Sequence, residues 1–455
     1  MEKNLAERSS TDDPYRKSGQ TRRAILSAAA KLFKNEGFNA TTMRRIAAAA
    51  NMEAGSIYYY FRSKDQILDE VLDVGVRQLL DEVRKITKRA KAEGEPFRET
   101  LTRLIDTHLT FLLIESDFTS ANIRNYPILP EKRRASHRPL REAYAKLWRS
   151  FLQTAQDAGD LRGDVSVILV NQFILGAMNW TAEWYDVQRY PVGQLSERMS
   201  KLLLDGMSAE HGEVAEVSIE SFGGLRDRAD FDGKAKLTRH QILRAAARIL
   251  RESGYKAATL RRIASEADME AGSVYYHFGS KEEILEEVLD LGLRDLLSGV
   301  RGAINTIRNE EDHRNRIATA IAVHLAYLFR ASEFTSANIR IYGMLPEKIR
   351  SRHRPIRHEY ARVWDQILRD AQQAGVLRSD IKVVPLRQVM LGALNWTVEW
   401  FDPGKAEQPG HYALSSFAGL LTKMLLDGLS TSGPAARAAR RSRVGGEPGL
   451  QTTKK

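Results

Sequence analysis

The sequence predicts an all-α protein built from two tandem copies of one helical unit. The first observation is an internal repeat, because residues 51–80 reappear at 268–297 with 20 of 30 positions identical. The second is a helical spacing of apolar residues in both copies, with few alternations of the strand type. Solenoid repeats have periods of about 20–50 residues, so a period above 200 indicates a duplicated pair of domains.

The repeat extends well beyond this block. It continues in the heptapeptide FTSANIR and in an Asn-Trp pair that is followed four residues later by a second Trp. The offset is 217 residues in the first block and 216 afterwards, so one residue was lost between them. These later matches stand at 118–124 and 334–340, and at 179–184 and 395–400.

Length and composition fit four folded domains. The chain has 455 residues, with 43% hydrophobic and 28% charged residues, as in ordinary globular proteins. We expect an N-terminus without fixed structure (1–16), a first helix-turn-helix domain (17–64), a first helical effector and dimerisation domain (65–209), a linker (210–234), a second helix-turn-helix domain (235–281), a second effector domain (282–432) and a basic tail (433–455).

Several classes of chemistry are excluded by composition. The chain has no cysteine, which excludes disulfides, thiolate metal sites and cysteine nucleophiles. No cofactor or metal is expected. No apolar run reaches the 18 residues of a membrane span and the N-terminus lacks a signal-like apolar core, so we expect a cytoplasmic protein without a membrane partner.

The net charge of +11 is concentrated at one end. The segment 433–455 carries +5 of it, so the rest of the chain is only mildly basic. The tail is interpreted as a solvated basic end, with non-specific phosphate contact as the alternative.

The first unit begins with three short helices. Apolar residues at helical spacing predict a helix from Gln20 that Gly37 ends. Thr41 or Thr42 can cap a second helix, MRRIAAAA. A break at 51–53 leads to a third helix, AGSIYYYF.

A long fourth helix then starts near Ser63, with an apolar stripe on one face. The second copy predicts the same four helices. About 130 residues of helical periodicity follow each set, broken by prolines such as Pro96, Pro127 and Pro130.

A short helix, a tight turn and a helix rich in small and aromatic residues suit insertion into the DNA major groove. Small residues at 54–56 let the third helix approach the duplex, and the hydroxyls of Tyr58, Tyr59 and Tyr60 can reach phosphates or bases. Successive helical residues lie about 100° apart, so at least one of these tyrosines packs against its own domain.

These motifs resemble the N-terminal domain of the tetracycline-repressor (TetR) family of bacterial transcription regulators. The first copy carries the pattern in Thr42, Ile46-Ala47, Gly55-Ser56-Ile57-Tyr58, Phe61 and Lys64. The second copy carries it in Thr259, Ile263-Ala264, Gly272-Ser273-Val274-Tyr275, Phe278 and Lys281.

The resemblance implies which residues contact DNA. Thr42, Lys64, Thr259 and Lys281 would bind phosphates. The residues implied to face the groove are Arg44, Ala54, Gly55, Ser56, Tyr58, Tyr59, Tyr60, Arg261, Ala271, Gly272, Ser273, Tyr275, Tyr276 and His277.

Two positions depart from the family pattern. Glu53 and Glu270 replace a small polar residue before the third helix, which places a carboxylate near DNA or at the positive end of the helix dipole as a cap. Tyr60 replaces the usual histidine, which His277 retains.

Family members work as homodimers, so the duplication implies a covalent pseudo-dimer in one chain, with two such chains on one site as an open alternative. The recognition residues of the copies are nearly identical, so a near-palindromic operator is expected. Any asymmetry should trace to Tyr60 against His277, or to Arg62 against Gly279.

The effector domains contain two repeated features. One is a basic stretch, starting at Pro130 and Pro346, that either binds a phosphate-bearing ligand or is a solvated helix face. The other is a pair of tryptophans expected on one helical face, either at the bundle interface or lining a pocket. The candidate effector-binding residues are Arg124, Arg134, His137, Trp180, Trp184, Arg340, Arg350, His353, Trp396 and Trp400.

These domains are also similar to those of TetR-family regulators that sense acyl-CoA or steroid-derived CoA thioesters, which implies such an effector and release of DNA when it binds. Glu183 and Glu399 are expected to pair with arginines such as Arg124 and Arg340. A binding module without small-molecule control is the main rival. An enzyme is the other, since His108 and His324 recur, but no nucleophile or metal-ligand motif accompanies them.

Overall fold

The computed structural model describes residues 14–127, 129–207, 234–345, 347–405 and 412–428. Within these ranges the chain forms helices and no β-strand, as the sequence predicts. The linker, most of the N-terminal segment and the basic tail predicted from the sequence lie outside the described residues.

The first copy contains nine α-helices. They are α1 Pro14–Ala40, α2 Met43–Ala49, α3 Ile57–Tyr60, α4 Lys64–Glu93, α5 Phe97–Thr110, α6 Asp117–Asn125, α7 Glu131–Asp157, α8 Val167–Asn179 and α9 Val192–Asp205.

The second copy repeats the same nine. They are α10 Lys234–Ala257, α11 Leu260–Glu266, α12 Ala271–His277, α13 Lys281–Asn305, α14 His313–Ala326, α15 Glu333–Ile341, α16 Glu347–Gln373, α17 Val383–Trp396 and α18 Leu414–Asp427. A π-helical turn follows α5 and α14, and a 3₁₀ turn follows α8 and α17.

The described residues divide into two compact units. The first comprises Thr110–Tyr144 with the described part of Met1–Val83, and therefore contains the first helix-turn-helix. The second comprises Arg84–Leu109 with the described part of Ala145–Lys455, which includes the second helix-turn-helix and the helices α8, α9, α17 and α18.

Local sequence explains the first helix-turn-helix. Gly37 leaves helical geometry with a φ of 78°, which lets the chain turn towards α2. Thr42 caps α2 by accepting a hydrogen bond from the backbone N–H of Arg45 at 3.2 Å. Asn51 takes a left-handed φ of 56° in the turn between α2 and α3, a conformation that asparagine tolerates better than most residues.

The third helix is shorter in the first copy than the sequence predicts. It begins at Ile57 rather than Ala54, whereas α12 begins at Ala271 as expected. Residues 54–56 instead form turns, with backbone hydrogen bonds from Ser56 to the Glu53 carbonyl and from Tyr58 to the Gly55 carbonyl. These three-residue spacings are those of a tighter 3₁₀ path.

Each helix-turn-helix encloses its own apolar core. In the first, the fully buried residues include those predicted to face inward, and in the second the same positions are buried. These core residues include Ile25, Ala29, Phe33, Ile46, Ala47, Ile67, Leu68, Val71 and Leu72, and Ile242, Ala246, Ile249, Ile263, Ala264, Ile284, Leu285 and Val288.

Among the described helices, none is long and apolar enough to cross a bilayer.

Candidate nucleic-acid interface and effector domains

Two tyrosines project from the third helix of each copy. Tyr59 is 83% exposed and Tyr276 is 85% exposed, while Tyr58 and Tyr275 are each more than half exposed. Exposed aromatic rings of this size are unusual on a folded surface unless they contact a partner. Tyr60, by contrast, packs partly against the core of the first helix-turn-helix, which satisfies the helical geometry noted above.

The surroundings of these rings are open and polar. Ser56 and Ser273 are exposed, and a side chain at Gly55 or Gly272 would meet no atom within 4 Å. A ligand backbone can therefore approach the start of this helix closely. The exposed arginines Arg44 and Arg261, together with Ala54 and the half-buried Ala271 and His277, complete the surface predicted to face DNA.

The capping threonine of the second helix is also exposed. Thr42 and Thr259 each accept a backbone N–H at 3.2 Å, which leaves the hydroxyl hydrogen free to donate to a phosphate oxygen. Neither Glu53 nor Glu270 makes the capping hydrogen bond considered above, since Ser56 is the N-cap of α3 and the Glu270 carboxylate does not bond to α12.

Lys64 and Lys281 have a structural position that the sequence did not indicate. The ammonium of Lys64 donates to the carbonyls of Phe38 and Thr41 at 2.6 Å each, and lies 4.1 Å from the centre of the Phe38 ring. Lys281 donates to the carbonyl of Tyr255 at 2.7 Å and lies over that ring. Each lysine therefore ties the start of the fourth helix to the end of the first.

Lys64→Met is expected to reduce the thermal stability of the first helix-turn-helix as well as operator affinity. Loss of hydrogen bonds from a charged donor to partly buried carbonyls costs about 1.5–3 kcal/mol. Thermal unfolding followed by circular dichroism checks this, with Lys91→Met at an exposed position as control. Unchanged unfolding with weaker DNA binding would mean that Lys64 contributes only a phosphate contact.

The sequence reasoning missed one repeated ion pair. Arg22 on α1 pairs with Glu70 on α4 and lies over the ring of Phe61 at 4.5 Å. Arg239 and Glu287 repeat the pair in the second copy. The offset of 217 residues between the two pairs was a usable signal, because it preserves both charges and the ring.

The two effector domains meet within the second unit through α8 and α17. Trp396 lies against Gly176, where an added Cβ would come within 2.9 Å of the Trp396 Cβ. Trp180 lies against Gly392 in the same way, also at 2.9 Å. The contact is therefore reciprocal, and each bulky ring requires the glycine opposite it.

The ends of α9 and α18 form a second reciprocal contact. Gly206 and Gly428 have φ of 74° and 78°, and an added Cβ on either would collide with the backbone of the other helix end. The Arg162 guanidinium donates to the Gly428 carbonyl at 3.0 Å, and Arg378 donates to that of Gly206 at 3.4 Å. Lys423 pairs with Asp164 at 2.6 Å.

Family models match both copies along most of their length. The model for bacterial regulatory proteins of the tetR family matches residues 25–71 and 242–288. A model for a tetracyclin repressor-like C-terminal domain matches residues 94–207 and 310–429. The chain belongs to the TetR family. It is therefore a DNA-binding transcription regulator and not an enzyme.

Individual TetR-family relatives correspond to one copy each. The HTH-type transcriptional repressor KstR2 of Rhodococcus jostii is 29% identical over 204 residues, which are 44% of this chain and 97% of that protein. KstR2 of Mycolicibacterium smegmatis is 31% identical over 201 residues, 41% of this chain and 91% of that protein. A solved structure of AibR with isovaleryl coenzyme A and operator DNA is 22% identical, covers 40% of this chain and 97% of that chain, and has a TM-score of 0.36.

In this TetR-family chain the basic stretches are largely paired with carboxylates. The His137 ring lies 2.7 Å from an Asp73 oxygen and 3.1 Å from an Asp69 oxygen, and these contacts, led by Asp69, raise the pKa of His137. Arg133 also pairs with Asp69, at 2.6 Å. This arrangement favours the helix-face interpretation of the first stretch over an open phosphate site.

The second stretch differs in detail. Arg350 pairs with Glu347 at 2.9 Å, and Arg352 pairs with Glu286 at 2.5 Å. His353 lacks the carboxylate contacts of His137, and burial lowers its pKa. Arg134, on the first stretch, is half-buried.

The tryptophan pairs do not share one helical face, contrary to the sequence prediction. The α-helix ends at Asn179, and a 3₁₀ turn spans Trp180–Glu183, so Trp180 and Trp184 diverge. Trp184 contacts the ring of Tyr190 edge-on, and Trp400 contacts Phe417 in the corresponding place.

Of the predicted arginine pairs, Arg340 with Glu399 is present at 3.6 Å. Arg340 also donates to the Arg251 carbonyl at 2.6 Å, and thereby connects the second helix-turn-helix to the 3₁₀ turn after α17. Arg124 donates to the Lys34 carbonyl at 2.6 Å.

The recurring histidines have a structural environment rather than a catalytic one. His108 is 1% exposed and its Nε2 lies 3.0 Å from the Asn179 side-chain oxygen. His324 makes the same contact with Asn395, and its Nδ1 lies 2.7 Å from the Tyr360 hydroxyl. Burial lowers the pKa of each histidine to about 4.

Proposed function

We propose that one chain is a covalent pseudo-dimer, a repressor that reads a near-palindromic operator with its two helix-turn-helix heads and leaves it when a small-molecule effector binds. The observation that carries the proposal is the reciprocal contact between the effector domains. Trp396 on Gly176 is repeated by Trp180 on Gly392, and Gly206 against Gly428 completes the set.

Reciprocity of this kind is the property of a two-fold interface, in which the same surface is used on both sides. Here both surfaces belong to one polypeptide, so the interface supports assembly without a second chain. We keep the domain limits proposed from the sequence, with heads at 17–64 and 235–281 and effector domains at 65–209 and 282–432.

The two heads carry the same reading residues. Positions 54–56 and 58–59 are identical to 271–273 and 275–276, so the two half-sites should have nearly the same sequence. Because the heads are covalently linked, binding of one raises the effective concentration of the other by an amount that can improve affinity about 10²–10⁴-fold. The chain should therefore hold its operator at dilutions that separate ordinary dimers.

Effector control requires a ligand with different affinities for the DNA-bound and DNA-free states. We take acyl-CoA thioesters as the first class to test, because the effector domains resemble those of CoA-thioester sensors. The site of action is taken to be the cytoplasm, where operator DNA is found.

The test is selection of bound sequences from a random DNA pool, followed by fluorescence anisotropy and mass measurement of the complex. Two related half-sites bound by one chain support the proposal. Two unrelated half-sites, or two chains on each site, would contradict the pseudo-dimer, and equal affinity for scrambled DNA at the same salt would contradict sequence-specific reading.

Tyr59→Ala and Tyr276→Ala should each lower operator affinity about 10-fold, the cost of about one lost base-pair contact. Both side chains are more than four-fifths exposed, so stability should change by less than about 0.5 kcal/mol. On a perfect palindrome the two variants should lose affinity equally. A loss confined to one of them would show that only one head reads DNA.

A further inference from the structure

The two effector domains share a fold but differ at the positions that fill their interiors. Four aromatic rings pack together in the second domain, from the π-helical turn after α14, the segment after α17, and α18. Phe401 stacks on Phe417 with ring centres 3.8 Å apart and planes within 6° of parallel. Phe329 and Trp400 meet these two rings edge-on.

The first domain has smaller or more polar residues at the same repeat positions. Tyr185 corresponds to Phe401, Leu195 to Phe417 and Leu113 to Phe329. Leu195 is buried, and the Tyr185 hydroxyl is buried without a hydrogen-bond partner. A phenol oxygen in this condition costs stability unless something else satisfies it.

A second difference lies on α8 and α17. Arg387 forms an ion pair with Asp365 at 2.9 Å, which joins α17 to α16 in the second domain. The corresponding residues in the first domain are Asn171 and Arg149, so this pair is missing there. Asn171 is only 1% exposed, and neither its oxygen nor its nitrogen has a hydrogen-bond partner.

Buried amides without partners are rare in native proteins, and each one requires an explanation. A ligand carrying donor and acceptor groups would provide one for Asn171 and for Tyr185. The second domain has no such need at these two positions, because an arginine and a phenylalanine with their own partners replace them.

The helices α5 and α14 differ in the same direction. All ten residues from Ile317 to Ala326 are buried in α14. On α5 the polar residues Asp106, Thr107 and Thr110 are only half-buried, and they correspond to alanine or valine on α14. The first domain thus retains a polar strip that reaches solvent, whereas the second is sealed by apolar side chains.

We infer that the chain binds one effector molecule, in the first effector domain, and that the second domain is a structural counterpart without a ligand. The inference rests on the proposed function in that it assumes ligand control. The effector class is an apolar molecule that carries neutral hydrogen-bonding groups, able both to donate and to accept at Asn171 and Tyr185.

The number of sites can be counted with 1-anilinonaphthalene-8-sulfonate, an amphipathic probe that requires no knowledge of the natural effector. Equilibrium dialysis of the full chain without DNA should give one bound probe per chain. Two or none would overturn the inference.

Exchange of residues between the two domains makes the test specific. Tyr185→Phe with Leu195→Phe copies the second domain into the first, and should reduce the count from one to none. Phe401→Tyr with Phe417→Leu does the reverse, and should raise it to two. A closing variant that still binds one probe, or an opening variant that gains none, would contradict the account.

Folding and DNA binding provide the controls. Each variant should keep the helical circular dichroism and the operator affinity of the wild-type chain, since none of these residues lies in a head. Probe counting uses no DNA, so failure of the operator experiment and failure of this inference are separate results.

Discussion

Gly206→Ala is expected to lower the free energy of unfolding by about 3–5 kcal/mol. With φ of 74° and ψ of −176°, Gly206 occupies a region that is essentially limited to glycine, and a side chain there costs about 1–3 kcal/mol. The added Cβ would also come within 2.6 Å of the Asp427 carbonyl carbon and of the Gly428 nitrogen. Forcing an atom into packed backbone costs about 1–3 kcal/mol more.

Gly159→Ala separates these two contributions. Gly159 also has a positive φ, of 77°, but a side chain there would meet no atom within 4 Å, and Gly375 is a second example in the other copy. Conformational strain alone should cost about 1–2 kcal/mol. Denaturant unfolding measures all three variants, with circular dichroism as the signal.

The excess loss in Gly206→Ala over Gly159→Ala measures the close approach of the two effector domains. Operator affinity should fall in the same variant, because the spacing of the two heads depends on this contact in the proposed pseudo-dimer. If Gly206→Ala loses no more stability than Gly159→Ala, the crossing of α9 and α18 is not tightly packed in solution.

The sequence predicted those features of the fold that depend on spacing and repetition. Apolar periodicity placed the inward residues of each head, as with Ile46 and Ala47, because burial of one helical face requires that pattern. The repeat itself predicted two copies of every element, and the family models confirm it.

Contacts between distant elements were less accessible. No local signal assigned Lys64 to the carbonyls of Phe38 and Thr41, since such a contact depends on how two helix ends meet. The tryptophan pair was placed on one helical face because a continuous α-helix was assumed. The 3₁₀ turn after Asn179 changes the angle between successive residues, and one sequence offers no sign of it.

The recognition surface lies between these cases. Exposed Tyr59 and partly buried Tyr60 follow from helical geometry, which requires neighbouring residues to diverge, but the sequence could not decide which tyrosine packs inward. That choice depends on where α3 begins, and α3 begins three residues later than predicted.

Lowering the pH from 7.5 to 5 is expected to destabilise the protein through two buried histidines. Burial holds the pKa of His108 and of His324 at about 4, against about 6.5 in an unfolded chain. Between these values the unfolded state binds protons that the folded state does not, so stability is complete above pH 6.5 and falls as the pH drops towards 4.

The expected size is about 2 kcal/mol for each histidine at pH 5, or about 4 kcal/mol for both, since one pKa unit corresponds to 1.36 kcal/mol. Other histidines also shift with pH. His240 and His353 have lowered pKa values and act in the same direction, whereas the raised pKa of His137 acts in the opposite one. The pH dependence of the whole protein is therefore a sum, and variants are needed to isolate the buried pair.

Glutamine variants separate the pair from the rest, because glutamine keeps polar atoms near Asn179 or Asn395 but does not titrate. His108→Gln and His324→Gln should each be less stable than the wild type at pH 7.5 and should lose about 2 kcal/mol less on going to pH 5. Urea unfolding at a series of pH values provides the difference directly. If the wild type and both variants lose the same free energy over this range, then the two histidines are solvated or already protonated, and their role as neutral core residues held by Asn179 and Asn395 is wrong.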